Sequence, residues 1–438
     1  MNFGKSSEFL FIIVFALFFH YRFCTADFEN KIAILLPESG KYSAIGNGMK
    51  ESIFIAADKK FEKQKPNIQL IYYDNYSNPD SAASIAKRIA KNPDFIGILG
   101  GYPSSCAFQT MLIAERYQIS YLIVSSSVDS LTNRQLDYTF RMAPLSSDYN
   151  DGLVSWAASI VPRGRNISVI HDGENHTLSA VVDICSDLKN RWSGKVEMYQ
   201  FRQGQNYFDE LIERQRKLRP DLVWLIGSTN DIARFLKECR KLDWSPIAFV
   251  FGNVNLVNNR IISLADGAAN YVFAPAVWTI DVPYPGAAEF TEAYSNITGN
   301  IPDYHAAEAF AGIEVLSSAL QKCEFVERDN LRDKLGSTNI LSIFGKVSFD
   351  DFRGFRNQNR SRSVCVQLLD QRWQSVWPRE LARSRYIYPP PDWRERNRPI
   401  KMVKTNPLLY YLFIILTIVL LVLTFKRGNE LRRKMGSK

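Results

Sequence analysis

Short apolar runs alternate with longer stretches of helical period along most of the chain. KIAILLP (31–37), IQLIYYD (68–74), FIGILGG (95–101) and ISYLIV (119–124) are rich in Ile, Leu, Val and Tyr and are bounded by Gly, Ser, Asn or Pro. Runs of that length and composition predict buried strands. In residues 48–62, 81–91 and 107–118 the apolar positions instead recur three and four apart, which predicts helices. This alternation implies parallel βαβ units and a doubly wound α/β lobe. YTFRMAP (138–144) is one more short strand, and Ser146, Ser147 and Asp148 supply a helix N-cap after it. The rhythm then restarts with NISVIH (166–171), VEMYQF (196–201), DLVWLIG (221–227) and IAFVFG (247–252), separated by helical stretches 178–192, 208–218 and 230–242. A second lobe of the same architecture is the economical reading. A third section carries helices near 286–296 and 304–322, with GKVSFDDFRG (345–354) and SVCVQLLDQRWQSVWP (363–378) as closing strands.

Two strands of the first lobe end in hydroxyls. Ser104 and Ser105 follow one, and Ser125, Ser126 and Ser127 follow its neighbour. In open α/β sheets ligands bind at the carboxyl ends of the strands, where helix N-termini present backbone N–H groups. Serine is equally a good N-cap, so spacing alone leaves both readings open.

Both ends of the 438-residue chain stand apart. After Lys5 comes an uncharged apolar run, 9–19, and then Cys24-Thr25-Ala26, whose small first and third residues suit signal peptidase. Residues 1–26 are therefore read as a signal peptide cut before Asp27; the bulky Tyr21-Arg22-Phe23 argues against a lipoprotein signal. Residues 407–425 hold no charge and are long enough to cross a bilayer as one C-terminal helix, followed by a basic tail at 426–438. Together they place the body in the periplasm or extracellular space, on a single-pass anchor in the cell membrane. Residues 386–406, with Pro389-Pro390-Pro391, read as a basic, extended stalk.

The net charge of +9 then divides unevenly. Residues 353–404 carry thirteen basic and four acidic groups, whereas residues 27–352 carry 33 basic and 39 acidic. The positive charge sits in one segment beside the predicted span, so nucleic acid is excluded as the partner the pI alone would suggest. Five cysteines follow residue 26 without metal-ligand spacing; Cys185 and Cys239 fall in helical apolar runs and read as buried thiols.

Taken in order along residues 31–378, several stretches carry a resemblance. They are LPESGKYSAIGNGMKESIFIA, the G-x-x-x-S of 101–105, the SSS…LT turn of 125–132, TFRMAP, PGAAEFTEAYSNITGNIPDYHAAEAFAGIEVLSSAL and the GKVSFD…VWP ending. Together they resemble the periplasmic branched-chain amino acid (leucine/isoleucine/valine) binding proteins, the type I solute-binding fold. The resemblance implies two doubly wound lobes joined by a three-strand hinge, with crossings near Ala143-Pro144, Ala274-Pro275 and 347–349. Lobe 1 would comprise 27–144 with 275–347, and lobe 2 would comprise 145–274 with 348–385. Ligand would be held as the lobes close. The family's carboxylate-binding positions correspond to Ser104 or Ser105, the backbone of Ser125, and Ser127. Facing them in lobe 2 stand His176, Ser228 and Asn253. Here the chain departs from the family. The acid often found after the strand corresponding to IAFVFG is replaced by Gly252-Asn253-Val254-Asn255, and an ammonium buried without a countercharge is costly. The expected ligand is a small polar molecule (amino acid, amide or carboxylate) with an acidic or polar head.

No nucleophile elbow, zinc-protease motif or P-loop occurs in the sequence, and no cofactor is implied. The cluster His171, Asp172, Glu174, His176 lies in one short loop with no zinc spacing, so no metal is expected. The sequence thus points to a binder and not an enzyme. Two partners fit: an ABC permease supplied with solute, or a membrane sensor partner that reads lobe closure.

Overall fold

Which sheet each apolar run joins is decided by strand pairing. The computed structural model describes residues 30–61, 68–160, 166–191, 194–361 and 363–396. The first lobe opens with β1 (Asn30–Leu36), α1 (Ser43–Phe61), β2 (Ile68–Asp74), α2 (Pro79–Lys91), β3 (Phe95–Gly100), α3 (Ser104–Arg116), β4 (Ser120–Ile123) and β5 (Thr139–Arg141). The second lobe follows with α4 (Asp151–Ile160), β6 (Ile167–His171), α5 (Asn175–Arg191), β7 (Val196–Gln200), α6 (Asp209–Leu218), β8 (Leu222–Ile226), α7 (Thr229–Lys241), β9 (Ala248–Phe251), α8 (Asn259–Ala265) and β10 (Phe273–Ala276). The chain then returns to lobe 1 with α9 (Ala287–Thr298), α10 (Tyr304–Gln321), α11 (Arg328–Gly336), β11 (Asn339–Ser342), β12 (Gly345–Phe352) and β13 (Phe355–Asn359). It ends in lobe 2 with β14 (Val364–Leu369) and β15 (Arg372–Trp377).

The sheet orders are β11-β12-β13-β5-β4-β3-β1-β2 and β15-β14-β10-β9-β8-β6-β7. The β1 to β5 pairings and the β6 to β10 pairings are parallel, while the added hairpins are antiparallel. This is the two-lobed α/β fold that the alternation implied, with the three crossings that the resemblance implied. The first crossing runs between β5 and β6, and the second runs from β10 to α9, close to the expected places.

The third crossing corrects the sequence reading. It lies between β13 and β14, at 360–363, and not at 347–349. The reason is burial on alternate positions: Val347 and Phe349 turn into the lobe 1 core, where the Phe349 ring meets Phe140 edge-on at 5.3 Å. The hairpin then brings Gln358 back beside Arg141 in parallel register.

That return builds the hinge. Arg141 is fully buried and donates from Nε to Gln358 Oε1 (2.5 Å), from Nη1 to the Val128 carbonyl (2.6 Å) and from Nη2 to Thr132 Oγ1 (2.8 Å). Gln358 Nε2 donates to the Ala143 carbonyl, and Asn359 Nδ2 donates to the Met142 carbonyl. Side-chain amides at the end of β13, just before the third crossing, therefore bind the backbone of the first. Burial lowers the Arg141 pKa to about 10, so the guanidinium stays charged near neutral pH and needs every one of these acceptors.

A second correction concerns the predicted stalk. Residues 386–396 do not extend away; they fold onto lobe 2. Gln367 Nε2 donates to the Ile387 carbonyl, and Trp393 is buried with Nε1 donating to the Trp244 carbonyl at 2.9 Å. Arg396 lies over the Trp393 ring at 4.0 Å, with Nη2 on Ser245 Oγ, and its own carbonyl accepts from Asn270. An aromatic ring and an arginine stem cover apolar surface that a solvated linker would leave exposed. The remainder of the stalk (397–406), the signal peptide (1–26), the membrane helix (407–425) and the tail (426–438) lie outside the described residues. Among those described, no helix is long and apolar enough to cross a membrane. The five described cysteines carry no disulfide, and Cys185 and Cys239 are buried, as read.

Candidate functional site

Parallel strands place their carboxyl ends together, so the loops after β3, β4, β6, β8 and β9 collect where the two lobes meet. At the edge of this region Asn150 Nδ2, on the first crossing, donates to the Gly252 carbonyl after β9. The sequence-predicted residues all occupy such strand ends, but their side chains are used differently in the two lobes.

In lobe 1, Ser104 and Ser105 are the first two residues of α3, half-buried and exposed respectively. The residue ahead of them is Pro103, which offers no side-chain acceptor, so the first N–H groups of α3 have no side-chain cap. Ser127 is half-buried; its carbonyl accepts from Ser146 N–H, and its hydroxyl meets the Tyr149 phenol. The loop that follows is fixed by the Arg141 bonds to Val128 and Thr132. Ser125 departs from the expected picture: its side chain is 3% exposed and turned into the lobe. Its Oγ lies 2.5 Å from both His305 Nδ1 and Glu308 Oε2. Ser126 is buried as well and donates to the Gly101 carbonyl.

In lobe 2, Ser228 caps α7: its Oγ accepts from Asp231 N–H at 3.2 Å and donates to Asp231 Oδ2 at 2.7 Å. Asn253 accepts from Asn255 N–H at 2.9 Å and caps a single helical turn. Both are therefore local caps, as residues of these types are where a helix begins. The side chain of His176 lies outside the described residues. No carboxylate follows β9, but Asp172, 3% exposed, stands directly after β6 and accepts from Glu174 N–H through Oδ1.

The residues that the sequence reading missed lie behind the serines. Tyr304 and His305 begin α10, and Glu308 follows one turn later on the same face. Gly312 lets this helix approach β4, since a Cβ there would come within 2.6 Å of Val124 Cγ1. The His305 ring packs 4.0 Å from Tyr304 and 4.8 Å from Tyr102, and Tyr102 in turn meets Tyr42 at 5.5 Å. Burial pushes the Tyr102 phenol up to about 12, and pushes up those of Tyr149 and Tyr304 also, so all three stay neutral. Burial likewise raises Glu308 well above the usual carboxyl range and lowers His305 to about 4, so both are uncharged near neutral pH. The visible signal was an acid and an imidazole set three apart on a helix rich in Ala, Phe, Ile and Leu, most of whose residues are buried.

Serine, imidazole and carboxyl in one cluster do not make a nucleophile here. In a Ser–His–acid relay the imidazole stands between the other two. Here the serine stands between, and its hydroxyl is buried. Among the described residues no group of three or more His, Cys, Asp or Glu side chains is arranged to hold a metal.

Neither of two larger cavities is lined by these serines. One, about 770 Å³, lies between the lobes and is bordered by Val254 and Asn258 of lobe 2 and by Asp303 and Tyr304 of lobe 1. The other, about 1020 Å³, lies by the third crossing, where Asp148, Asp183 and Asp187 share the walls with Arg353 and Arg360. Burial raises the carboxyls of these three acids, and their mutual proximity adds to that of Asp183.

Comparison with known proteins agrees with this geometry. Residues 29–366 match the model of a family described as periplasmic binding protein. The Leu/Ile/Val-binding protein homologs 7 and 8 of Brucella melitensis biotype 1 are each 22% identical, over 389 and 384 residues. Those alignments cover 83% and 82% of this chain, and 95% and 93% of the relatives. A putative branched-chain amino acid ABC transporter from Rhodospirillum rubrum superposes with a TM-score of 0.68 at 19% identity, over 79% of this chain and 99% of its own. A solute-binding protein from R. palustris in complex with benzoate superposes at 0.61 and 14% identity, over 79% and 95%. These structures share the fold, and with the family match covering most of its length the chain belongs to the periplasmic binding protein family.

Proposed function

We propose that this protein captures a small carboxylate between its two lobes and delivers it to an ABC-type importer. The observation that carries this reading is the asymmetry of the strand ends. In lobe 2 Ser228 and Asn253 are used up by local caps, whereas in lobe 1 the first turn of α3, with Ser104 and Ser105, has no side-chain cap. Ser127 follows β4, the strand that pairs with β3. A carboxylate placed there would meet helix N–H groups and hydroxyls, which favour negative charge. The surrounding tyrosines and His305 are neutral and aromatic, which suits an apolar or aromatic body. Relatives and neighbours span both choices, since some are named for Leu/Ile/Val and others hold benzoate or 4-hydroxybenzoate. Tethering by residues 407–425 belongs to the same proposal and rests on sequence alone.

A second reading has one observation in its favour. Asp172, buried after β6, could pair with the ammonium of an α-amino acid. A thermal-shift panel on the full chain in mild detergent, with benzoate, isovalerate, leucine, valine and benzamide, separates the two. Stabilisation follows RT ln(1 + [L]/Kd), about 2.7 kcal/mol at a hundredfold excess over Kd. A response to the two carboxylates alone supports the first reading, and a stronger response to leucine or valine supports the second. No response from any member would sink the solute-binding proposal.

A further inference from the structure

The buried carboxyl of Glu308 calls for an explanation. It is fully enclosed, and one of its oxygens, Oε1, has no hydrogen-bond partner. Such a group is costly to keep in a protein interior unless it does something. Its other oxygen, Oε2, meets Ser125 Oγ, which in turn meets His305 Nδ1, so three polar side chains form a line. The groups packed around this line are Asp303 at the start of α10, Tyr102 after β3, Tyr149 after β5, and Tyr304. Asp303 caps the helix, its Oδ1 accepting from Ala306 N–H at 2.9 Å.

The direction of the hydrogen bonds follows from where a neutral Glu308 keeps its proton. On Oε1 the proton would be a buried donor with no acceptor, which is rarer and more costly than an acceptor left without a donor. On Oε2 it bonds Ser125 Oγ. The serine hydroxyl has one hydrogen, and with Oε2 acting as donor that hydrogen turns to His305 Nδ1. Nδ1 is then an acceptor, and the imidazole hydrogen sits on Nε2. That atom bonds none of the described residues, while Asp303 and Tyr304, the residues just before it in the chain, border the cavity between the lobes. Ionising Glu308 would reverse the line: Ser125 would donate to the carboxylate, Nδ1–H would donate to Ser125, and Nε2 would become an acceptor.

We infer that His305 Nε2–H is a ligand-binding donor for a carboxylate or carbonyl oxygen, held in that tautomer by Ser125 and Glu308. The inference rests on the solute-binding reading above but names a residue and a polarity that the reading does not contain. It makes His305 the ligand contact and Glu308 a positioning residue that acts through Ser125.

The experiment uses the full chain in mild detergent, with uniformly ¹⁵N-labelled histidine; only four histidines are present in the sequence, so the spectrum is sparse. His305→Phe assigns its signal. At neutral pH, His305 is expected to show an unprotonated Nδ1 and a protonated Nε2, with the Nε2 signal moving when benzoate is added. In parallel, benzoate affinity is measured by calorimetry. His305→Phe keeps the ring packing but removes the donor and should weaken binding about tenfold or more, whereas His305→Gln, which restores an N–H, should recover most of it. An Nδ1-protonated tautomer would overturn the assignment. So would wild-type affinity in His305→Phe. If benzoate and leucine both fail to bind the wild type, the solute reading and the ligand contact fall together, whereas binding with no response at His305 removes only this inference.

Discussion

Replacing Glu308 with Gln keeps the shape and a donor beside Ser125 but takes away the ability to ionise. The consequence is a change in how stability depends on pH. Burial raises the Glu308 pKa in the folded protein well above the usual 4.5. The native state thus holds a proton that the unfolded chain releases above about pH 4.5. The associated stability is fully present below that pH and is lost as pH rises, at about 1.4 kcal/mol per pH unit until the folded group ionises. His305 acts with the opposite slope: burial lowers it from 6.5 to about 4, so unfolding takes up a proton and stability falls as pH drops through that window. In the wild type the two contributions nearly cancel between about pH 4.5 and 6.5, and only the loss from Glu308 remains above. In Glu308→Gln only the histidine slope survives. The difference between variant and wild type should therefore grow in favour of the variant as pH rises from 5 to 7, by at most about 3 kcal/mol. Urea unfolding of both full chains in half-unit steps from pH 4 to 8 reads this directly, since every other titrating group cancels in the difference. Parallel curves would refute the claim that Glu308 is buried as a neutral acid.

The other expectations are simpler. Ser127→Ala should weaken benzoate binding about tenfold by calorimetry through the loss of one charge-assisted hydrogen bond; unchanged affinity would reduce Ser127 to a partner of Tyr149. Trp393→Ala should cost about 3–5 kcal/mol in urea unfolding because the ring and its bond to Trp244 seal lobe 2; a loss under 1 kcal/mol would mean that the 386–396 segment is not part of the fold. Arg141→Met strands the Val128 carbonyl and leaves Gln358 Oε1 with Thr132 Oγ1 as its remaining donor, so it should cost about 1–3 kcal/mol and weaken benzoate through the 128–132 loop. Full stability in that variant would show the hinge held by other contacts.

The strand and helix alternation was legible because parallel strands buried on both faces read as unbroken apolar runs, and the helices between them keep a clear period. Hence α1, α3, α5 and α10 fall close to where periodicity puts them, and the serines of 104–127 fall at strand ends. What the chain could not show locally was decided by pairing over long separations. GKVSFD looks like a hinge strand, yet Val347 and Phe349 pack on Phe140 some two hundred residues earlier, which moves the third crossing to 360–363. The Arg- and Pro-rich segment looks like a solvated stalk, yet Trp393 finds a slot beside Trp244. Ser125 looks like its neighbours, yet a helix 180 residues away brings His305 and Glu308 to its hydroxyl. The sequence by itself determined the elements, the two lobes and the hydroxyl-bearing strand ends, because those depend on period and on neighbours in the chain. Only the tertiary structure decided which hydroxyls are turned inward, because that depends on groups far apart in sequence sharing one dry space.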